Sequence, residues 1–257
     1  MALLEIAHVS MSFSGLHALS DISFSVCEGQ IIGLIGPNGA GKSTLLNCIS
    51  RLYRPERGSM RFAGEDLMLR KAHEVAAMGI RRTFQNLELF REATVHENIV
   101  LGLVYRHRAN IVSEFFDLPS ARMRRAQANC EAGEIIEACG LRDIADIRVS
   151  ELPYGLQKSV ELARALAGRP RLLLLDEPSA GMNPEESRRV AQTIRRLRDA
   201  NGISIILVEH DMRVVMAVCD YVVVLDHGEK IAEGTPGEVR RLPAVIKAYL
   251  GDEVDDA

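Results

Sequence analysis

The sequence has 257 residues, 47% of them hydrophobic and 26% charged, with a formal net charge of −4. That is enough apolar material for one large α/β domain or a domain with a smaller subdomain, and it excludes both a disordered chain and one that holds nucleic acid by its bulk field. The cysteines, Cys27, Cys48, Cys130, Cys139 and Cys219, are scattered without a C-x-x-C pair, so reduced cytoplasmic thiols are expected rather than a disulfide framework or zinc site.

Met1 to Gly15 lacks a cationic start followed by an apolar region, and no apolar run approaches the ~18 residues of a membrane span. Work at a membrane would leave the spanning to other chains. Leu3–Met11 and Asp21–Val26 read as strands around a turn at Ser14–His17, an N-terminal antiparallel β portion. Phe13, just before that turn, is either an aromatic for stacking on a purine or a buried strand residue.

Gln30–Ile35 is a buried-strand run, and Gly36-Pro37-Asn38-Gly39-Ala40-Gly41-Lys42-Ser43-Thr44 follows it, matching G-x-x-x-x-G-K-[ST]. A random chain of this length yields ~0.01 such matches, so chance is a poor explanation. The glycines let backbone N–H groups turn inward around phosphate, and the helix after Lys42 turns its positive end to the same anion. Asn38, Gly39, Ala40, Gly41, Lys42, Ser43 and Thr44 are therefore the phosphate-binding candidates. Lys42 reaches the β- and γ-phosphates of a nucleotide and Ser43 ligates Mg²⁺. The helix is expected to end near Arg54-Pro55, because proline disfavours helical geometry in the residue before it.

Ser59–Phe62 and Gly79–Gln85 read as further strands, the second with a polar terminus. Thr94-Val95-His96-Glu97 is a capping box opening a helix to about Tyr105, and Ser120–Gly140 is a long helical stretch. Residues 94–152 are read as a helical subdomain inserted into a core made of 1–93 and 153–257. Arg171–Asp176 returns to the buried-strand pattern, and Asn183-Pro184-Glu185-Glu186 caps a helix to about Asn201. Ile203–Val208 is a strand, a helix presents Val214, Val215 and Val218 on one face, and Tyr221–Leu225 with Glu229–Ala232 forms a hairpin. Thr235-Pro236-Gly237-Glu238 caps another helix, and the acidic tail after Gly251 is expected to fray.

Strands alternating with helices predict a mainly parallel sheet, with ligands beyond the carboxyl ends of its strands. Asp176 and Glu177 stand at such an end and can divide the work of phosphoryl transfer, Asp176 towards Mg²⁺ and Glu177 towards the attacking water. His210 follows another strand, either as a donor to the γ-phosphate or as a structural histidine. Gln85, at the end of a fourth strand, senses Mg²⁺ and water or is an ordinary surface glutamine.

GPNGAGKST, Arg82-Thr83-Phe84-Gln85, Glu151–Lys158, Leu172–Pro178, Ser179–Pro184 and Val208-Glu209-His210-Asp211, in that order, resemble an ATP-binding-cassette (ABC) ATPase across nearly the whole chain. The spelling of Gly79–Asn98, of the Tyr-Gly signature and of the segment from Glu233 to Gly251 is similar to the cassettes of branched-chain amino-acid importers. The resemblance implies a P-loop NTPase core with an N-terminal antiparallel β portion and an inserted helical subdomain, binding ATP and Mg²⁺ between two cassettes. By position it makes Phe13 the adenine-stacking aromatic, Gln85 the glutamine of the loop linking the nucleotide to the permease, Glu177 the general base and His210 the switch histidine. Gly155 of a second cassette would close over the loop around Lys42. Leu87, Leu89 and Phe90 would help form the groove for a coupling helix, or else belong to ordinary core.

Three positions depart from the family pattern. Pro153 stands for the signature serine, Leu156 for its glutamine, and Asn183 for a common aspartate. The resemblance implies partners in a second cassette, transmembrane permease subunits and, indirectly, a substrate-binding protein, but no nucleic acid. The location it implies is peripheral, on the cytoplasmic face of the plasma (inner) membrane. Cassettes of urea or amide importers and of lipopolysaccharide exporters share much of the spelling, and a soluble non-transport ABC ATPase is the remote alternative.

Overall fold

The computed structural model describes residues 2–83, 87–103 and 119–251. The chain forms two compact units, Met1–Arg82 with Arg171–Ala257, and Thr83–Pro170.

The first unit holds two sheets. β1 (Ala2–Phe13), β2 (Leu16–Cys27), β4 (Arg57–Phe62) and β5 (Glu65–Asp66) make an antiparallel sheet in the order β2-β1-β4-β5. β3 (Ile31–Ile35), β6 (Ile80–Arg82), β7 (Leu172–Asp176), β8 (Ser204–Val208), β9 (Tyr221–Asp226) and β10 (Glu229–Gly234) make the other, in the order β10-β9-β3-β8-β7-β6. Its strands are parallel except β10, which returns antiparallel on β9 as the hairpin reading anticipates. Every residue of β3, β7 and β8 is buried. A parallel sheet covered on both faces demands such unbroken apolar strands.

Side chains alternate across that sheet, so Ile32 and Leu34 face one cluster and Ile35 the other. The larger cluster joins Leu45, Leu46 and Ile49 of α1 (Lys42–Ile49) to Leu4, Leu19 and Phe62 of the antiparallel sheet and to Leu174 and Ile206. The helix after the phosphate loop is thereby fixed in the main core. α6 (Pro184–Asn201), α7 (Met212–Val218), α8 (Pro236–Val239) and α9 (Pro243–Gly251) complete the unit with α2 (Ala72–Ala77). Asn183 caps α6 as expected, its Oδ1 accepting from the Glu185 and Glu186 amides at 3.0 Å each.

Two expectations change. The strands flanking Ser14–His17 run longer than the sequence implies, with register shifts along β1 and left-handed backbone at His8 and Asp21. The helix expected to reach Arg54-Pro55 stops at Ile49. Arg51 has φ 60°, and its guanidinium donates to the carbonyls of Arg70, Tyr53 and Met68, so a side chain held by three acceptors turns the chain before the proline can act.

The second unit is helical among its described residues: α3 (Val95–Leu103), α4 (Pro119–Ala138) and α5 (Tyr154–Ala167), with short 3₁₀ turns at Arg142–Ile144 and Val149–Glu151. The capping box at Thr94 forms, Thr94 N–H donating to Glu97 Oε2 at 2.8 Å and Glu97 N–H to Thr94 Oγ1 at 3.1 Å. Val95, Ile99 and Leu103 pack with Ala128, Ala132 and Ile136 and with Val160, Ala163 and Ala167. A Cβ at Gly102 would lie 2.4 Å from the Arg164 carbonyl oxygen, so glycine is what lets α3 approach α5 this closely. The unit's bounds differ from the expected 94–152 insertion. α5 supplies one wall of the helical cluster and so belongs by packing with the helices, as do Leu87 and Leu89.

Candidate functional site

The first unit gathers most of the expected residues at the carboxyl ends of its parallel strands. β3 delivers the chain to Gly36, whose φ is 147°; a Cβ there would stand 2.0 Å from the Leu225 carbonyl oxygen. The loop closes at Gly41, φ 97°, where a Cβ would meet the Ala18 carbonyl at 2.5 Å. Between them Asn38 and Gly39 are exposed and Ala40 is buried. α1 then begins at Lys42 with no side-chain cap, so the amides of its first turn remain for an anion. Ser43 is exposed and Thr44 half-buried in that turn.

Lys42 is 6% exposed, and its ammonium donates to the carbonyls of Gly36 and Pro37 at 2.7 Å each. The loop is thus wrapped around its own cation. Burial lowers the Lys42 pKa, while Glu177 and Asp176 oppose that shift with their negative charge. Lysine and the two carboxylates therefore share one electrostatic site.

Asp176 closes β7 and is 2% exposed; its Oδ2 accepts from Arg82 Nη2 at 2.9 Å. Glu177, next in the chain, has φ 50°, and its amide donates to the Val208 carbonyl at 3.0 Å. Left-handed backbone costs a residue with a side chain about 1–2 kcal/mol. What that conformation brings is a carboxylate beside His210, whose Nε2 lies 2.7 Å from Glu177 Oε1. Phe13 ends β1 at 40% exposure, with the Tyr53 ring edge-on at a centroid distance of 5.3 Å. It is exposed rather than buried in the strand. Gln85 lies outside the described residues.

Several residues of the site carry no role in the sequence reading. Glu209 is 3% exposed and accepts from the Ser179 amide at 2.9 Å and the Ser179 hydroxyl at 2.6 Å, which ties the chain after Glu177 to the chain before His210. Burial raises its pKa, against the pull of these donors. A carboxylate directly after an apolar strand was the available signal. Arg82 is a second, a cation at the polar end of a short strand. Asn47, which accepts from Arg82 Nη1 at 2.5 Å, is a third, an amide in an apolar helix one turn after Ser43.

Among the described residues no group of three or more His, Cys, Asp or Glu could hold a metal ion. A cage made by protein alone is thus not offered there. The Ser43 hydroxyl and the Asp176 carboxylate could instead each supply one oxygen to a hard divalent cation completing its shell with phosphate oxygens and water. Mg²⁺ fits that description.

In the second unit, Gly155 lies in the first turn of α5. Pro153 is its N-cap residue, with φ −55° and ψ 149°, and its carbonyl already accepts from the Leu156 and Gln157 amides at 3.0 and 3.1 Å. The amides of Tyr154 and Gly155 stand ahead of those bonds at the positive end of the helix. Pro153, Tyr154 and Leu156 are exposed around them. Upstream, buried Asn98 clamps Phe90 by accepting from its amide at 2.9 Å and donating to its carbonyl at 3.0 Å. Phe90, 59% exposed, lines an open groove of about 700 Å³ with His96, Glu97, Val100, Leu101 and Asn129. Of the apolar residues expected there, Leu89 is instead buried in the helical cluster and Leu87 packs against it.

A family model described as ABC transporter matches residues 19–180, well over half of the chain and spanning the phosphate loop, the signature turn and both carboxylates. The chain belongs to the ABC transporter family. It is an ATPase of that family, and its fold is that of the ABC cassettes. A second model, described as branched-chain amino acid ATP-binding cassette transporter, matches residues 229–255. The chain is 40% identical over 250 residues to the high-affinity branched-chain amino acid transport ATP-binding protein BraF of Pseudomonas aeruginosa, covering 97% of this chain and 98% of that protein. It is 38% identical, with the same coverage, to the corresponding protein LivG of Escherichia coli K12. Among solved structures it is similar to the ADP conformation of MJ1267, an ATP-binding cassette of an ABC transporter, with a TM-score of 0.84 and 31% identity over 98% of this chain and 99% of that one.

Proposed function

We propose that this ABC ATPase powers the import of branched-chain amino acids, working at the cytoplasmic face of the inner membrane. The observation that carries the substrate class is the 38–40% identity to transport ATP-binding proteins of that name along 97% of the chain. Among the described residues no helix is long and apolar enough to cross a membrane, which leaves translocation to permease subunits. The groove beside Phe90 is the proposed seat for a permease segment, and a substrate-binding protein would deliver the cargo to those subunits.

In this reading the amides of Asn38–Thr44 and the Lys42 ammonium hold the β- and γ-phosphates, and Phe13 stacks on the adenine. Ser43 and Asp176 hold Mg²⁺, with Gln85 as the further ligand the family resemblance supplies. Bound there, Mg²⁺ neutralises developing charge on the phosphate oxygens. Glu177 accepts the proton of the attacking water, and His210, 2.7 Å from that carboxylate, orients it and donates towards the γ-phosphate. A second cassette contributes the Tyr154 and Gly155 amides. With proline at 153, no signature hydroxyl assists them, and the helix end carries that recognition.

The test is Glu177→Gln. Catalysis here is positioning plus one proton transfer, a contribution of about 10²–10⁴ in rate. ATP turnover should fall by at least that factor while ATP binding is retained. Turnover within a few-fold of wild type would remove Glu177 from the role.

A further inference from the structure

Arg82 ends β6 in register with Leu174, two residues before Asp176 on β7. Its side chain is 8% exposed and that of Asp176 3%, so the pair is almost fully removed from water. The guanidinium reaches two ways. Nη2 donates to Asp176 Oδ2 at 2.9 Å, and Nη1 donates to Asn47 Oδ1 at 2.5 Å and to Ser50 Oγ at 3.5 Å. Asn47 follows Ser43 by four residues on α1, so the two share a helix face one turn apart. Arg82 therefore spans from the strand end that presents Asp176 to the helix face that presents Ser43.

Burying an ion pair returns little net stability, because desolvation offsets the attraction. A planar fork that fixes two bonds at once does give geometry, which a lysine point charge cannot reproduce. We propose that Arg82 is a positioning residue of the metal site, bracing the Asp176 carboxylate against the Ser43-bearing face of α1 so that both metal donors are held at a set spacing. The inference rests on the reading of Ser43 and Asp176 as the Mg²⁺ donors. Outer partners of metal ligands matter in this way generally, their loss costing about 10–100-fold in metal affinity.

Mn²⁺ is the probe, its affinity for the full-length protein saturated with a non-hydrolysable ATP analogue being read by electron paramagnetic resonance. Arg82→Lys keeps the charge and loses the fork. It should weaken Mn²⁺ binding by about tenfold or more, while binding of the analogue in EDTA stays within about twofold of wild type. Asn47→Leu, which removes the other anchor, should weaken Mn²⁺ in the same direction, and the double variant should be no worse than Arg82→Lys alone, because both changes break one brace. Mn²⁺ affinity unchanged in Arg82→Lys, or an equal loss of metal-free nucleotide binding, overturns the proposal. If Arg82→Lys fails to fold, Asn47→Leu decides by the same criteria. Asp176→Asn separates the two levels: unchanged Mn²⁺ binding there sinks the metal-site reading itself, whereas a loss there with Arg82→Lys silent sinks only the brace.

Discussion

Gly36 and Gly39 sit three residues apart in the same loop, and alanine at the two positions should have unequal consequences. At Gly36 the backbone angle φ 147° falls in a region open essentially to glycine alone, and the new Cβ would stand 2.0 Å from the Leu225 carbonyl oxygen. The strain costs about 1–3 kcal/mol. The overlap adds about 1–3 kcal/mol, since that carbonyl belongs to a paired central strand and cannot retreat freely. At Gly39 φ is 77° and nothing lies within 4 Å of the added carbon, so only the left-handed backbone cost of about 1–2 kcal/mol remains. With ~2–4 °C of melting temperature per kcal/mol for a chain of this size, Gly36→Ala should lower Tm by about 10 °C and Gly39→Ala by about 4 °C. Thermal unfolding of the nucleotide-free protein followed by circular dichroism measures both. Equal shifts, or a larger one at Gly39, would refute the packing argument and with it the close approach of β3's end to β9.

Two further outcomes follow from buried polar groups. Asn98→Leu leaves the Phe90 amide without its partner and the Phe90 carbonyl with the Ala93 amide alone; it should cost about 1–3 kcal/mol in urea unfolding, and permease-stimulated hydrolysis should fall more than basal hydrolysis, because Phe90 lines the groove. Glu209 has a folded-state pKa raised by burial, so between its unfolded value of 4.5 and that raised value the folded protein holds a proton the unfolded chain has lost. Stability from this group therefore declines as pH rises through that window; wild type should lose ground against Glu209→Gln over the same range, and a difference between their Tm values that is flat from pH 4 to 7 would contradict it.

Much of this site is legible in the sequence because its chemistry requires a contiguous pattern. Gly36–Thr44 must be glycine-rich where the backbone turns and cationic where phosphate sits, and Leu172–Glu177 must be apolar until the sheet ends. Caps are local too, so Thr94, Asn183 and Thr235 announce their helices. Arg82, Asn47 and Ser179 are different, because their importance lies in partners 94, 35 and 30 residues away. No spacing rule reports a contact made only by folding. The end of α1 shows the same limit: Pro55 is the visible breaker, yet Arg51 turns the chain through carbonyls that only the fold brings near. Amphipathic α5 reads alike in sequence whether it packs on a sheet or on α3, and its place among the helices rests on contacts that only the fold makes.

The central claim, an ATPase coupled to branched-chain amino-acid uptake, is tested most directly by purifying the intact complex from membranes and reconstituting it in proteoliposomes with its binding protein. Leucine uptake should require ATP on the cassette side, and Glu177→Gln should abolish uptake while the complex stays assembled and still binds ATP. Uptake of another solute class in place of leucine, or leucine uptake undiminished by Glu177→Gln, would contradict the account.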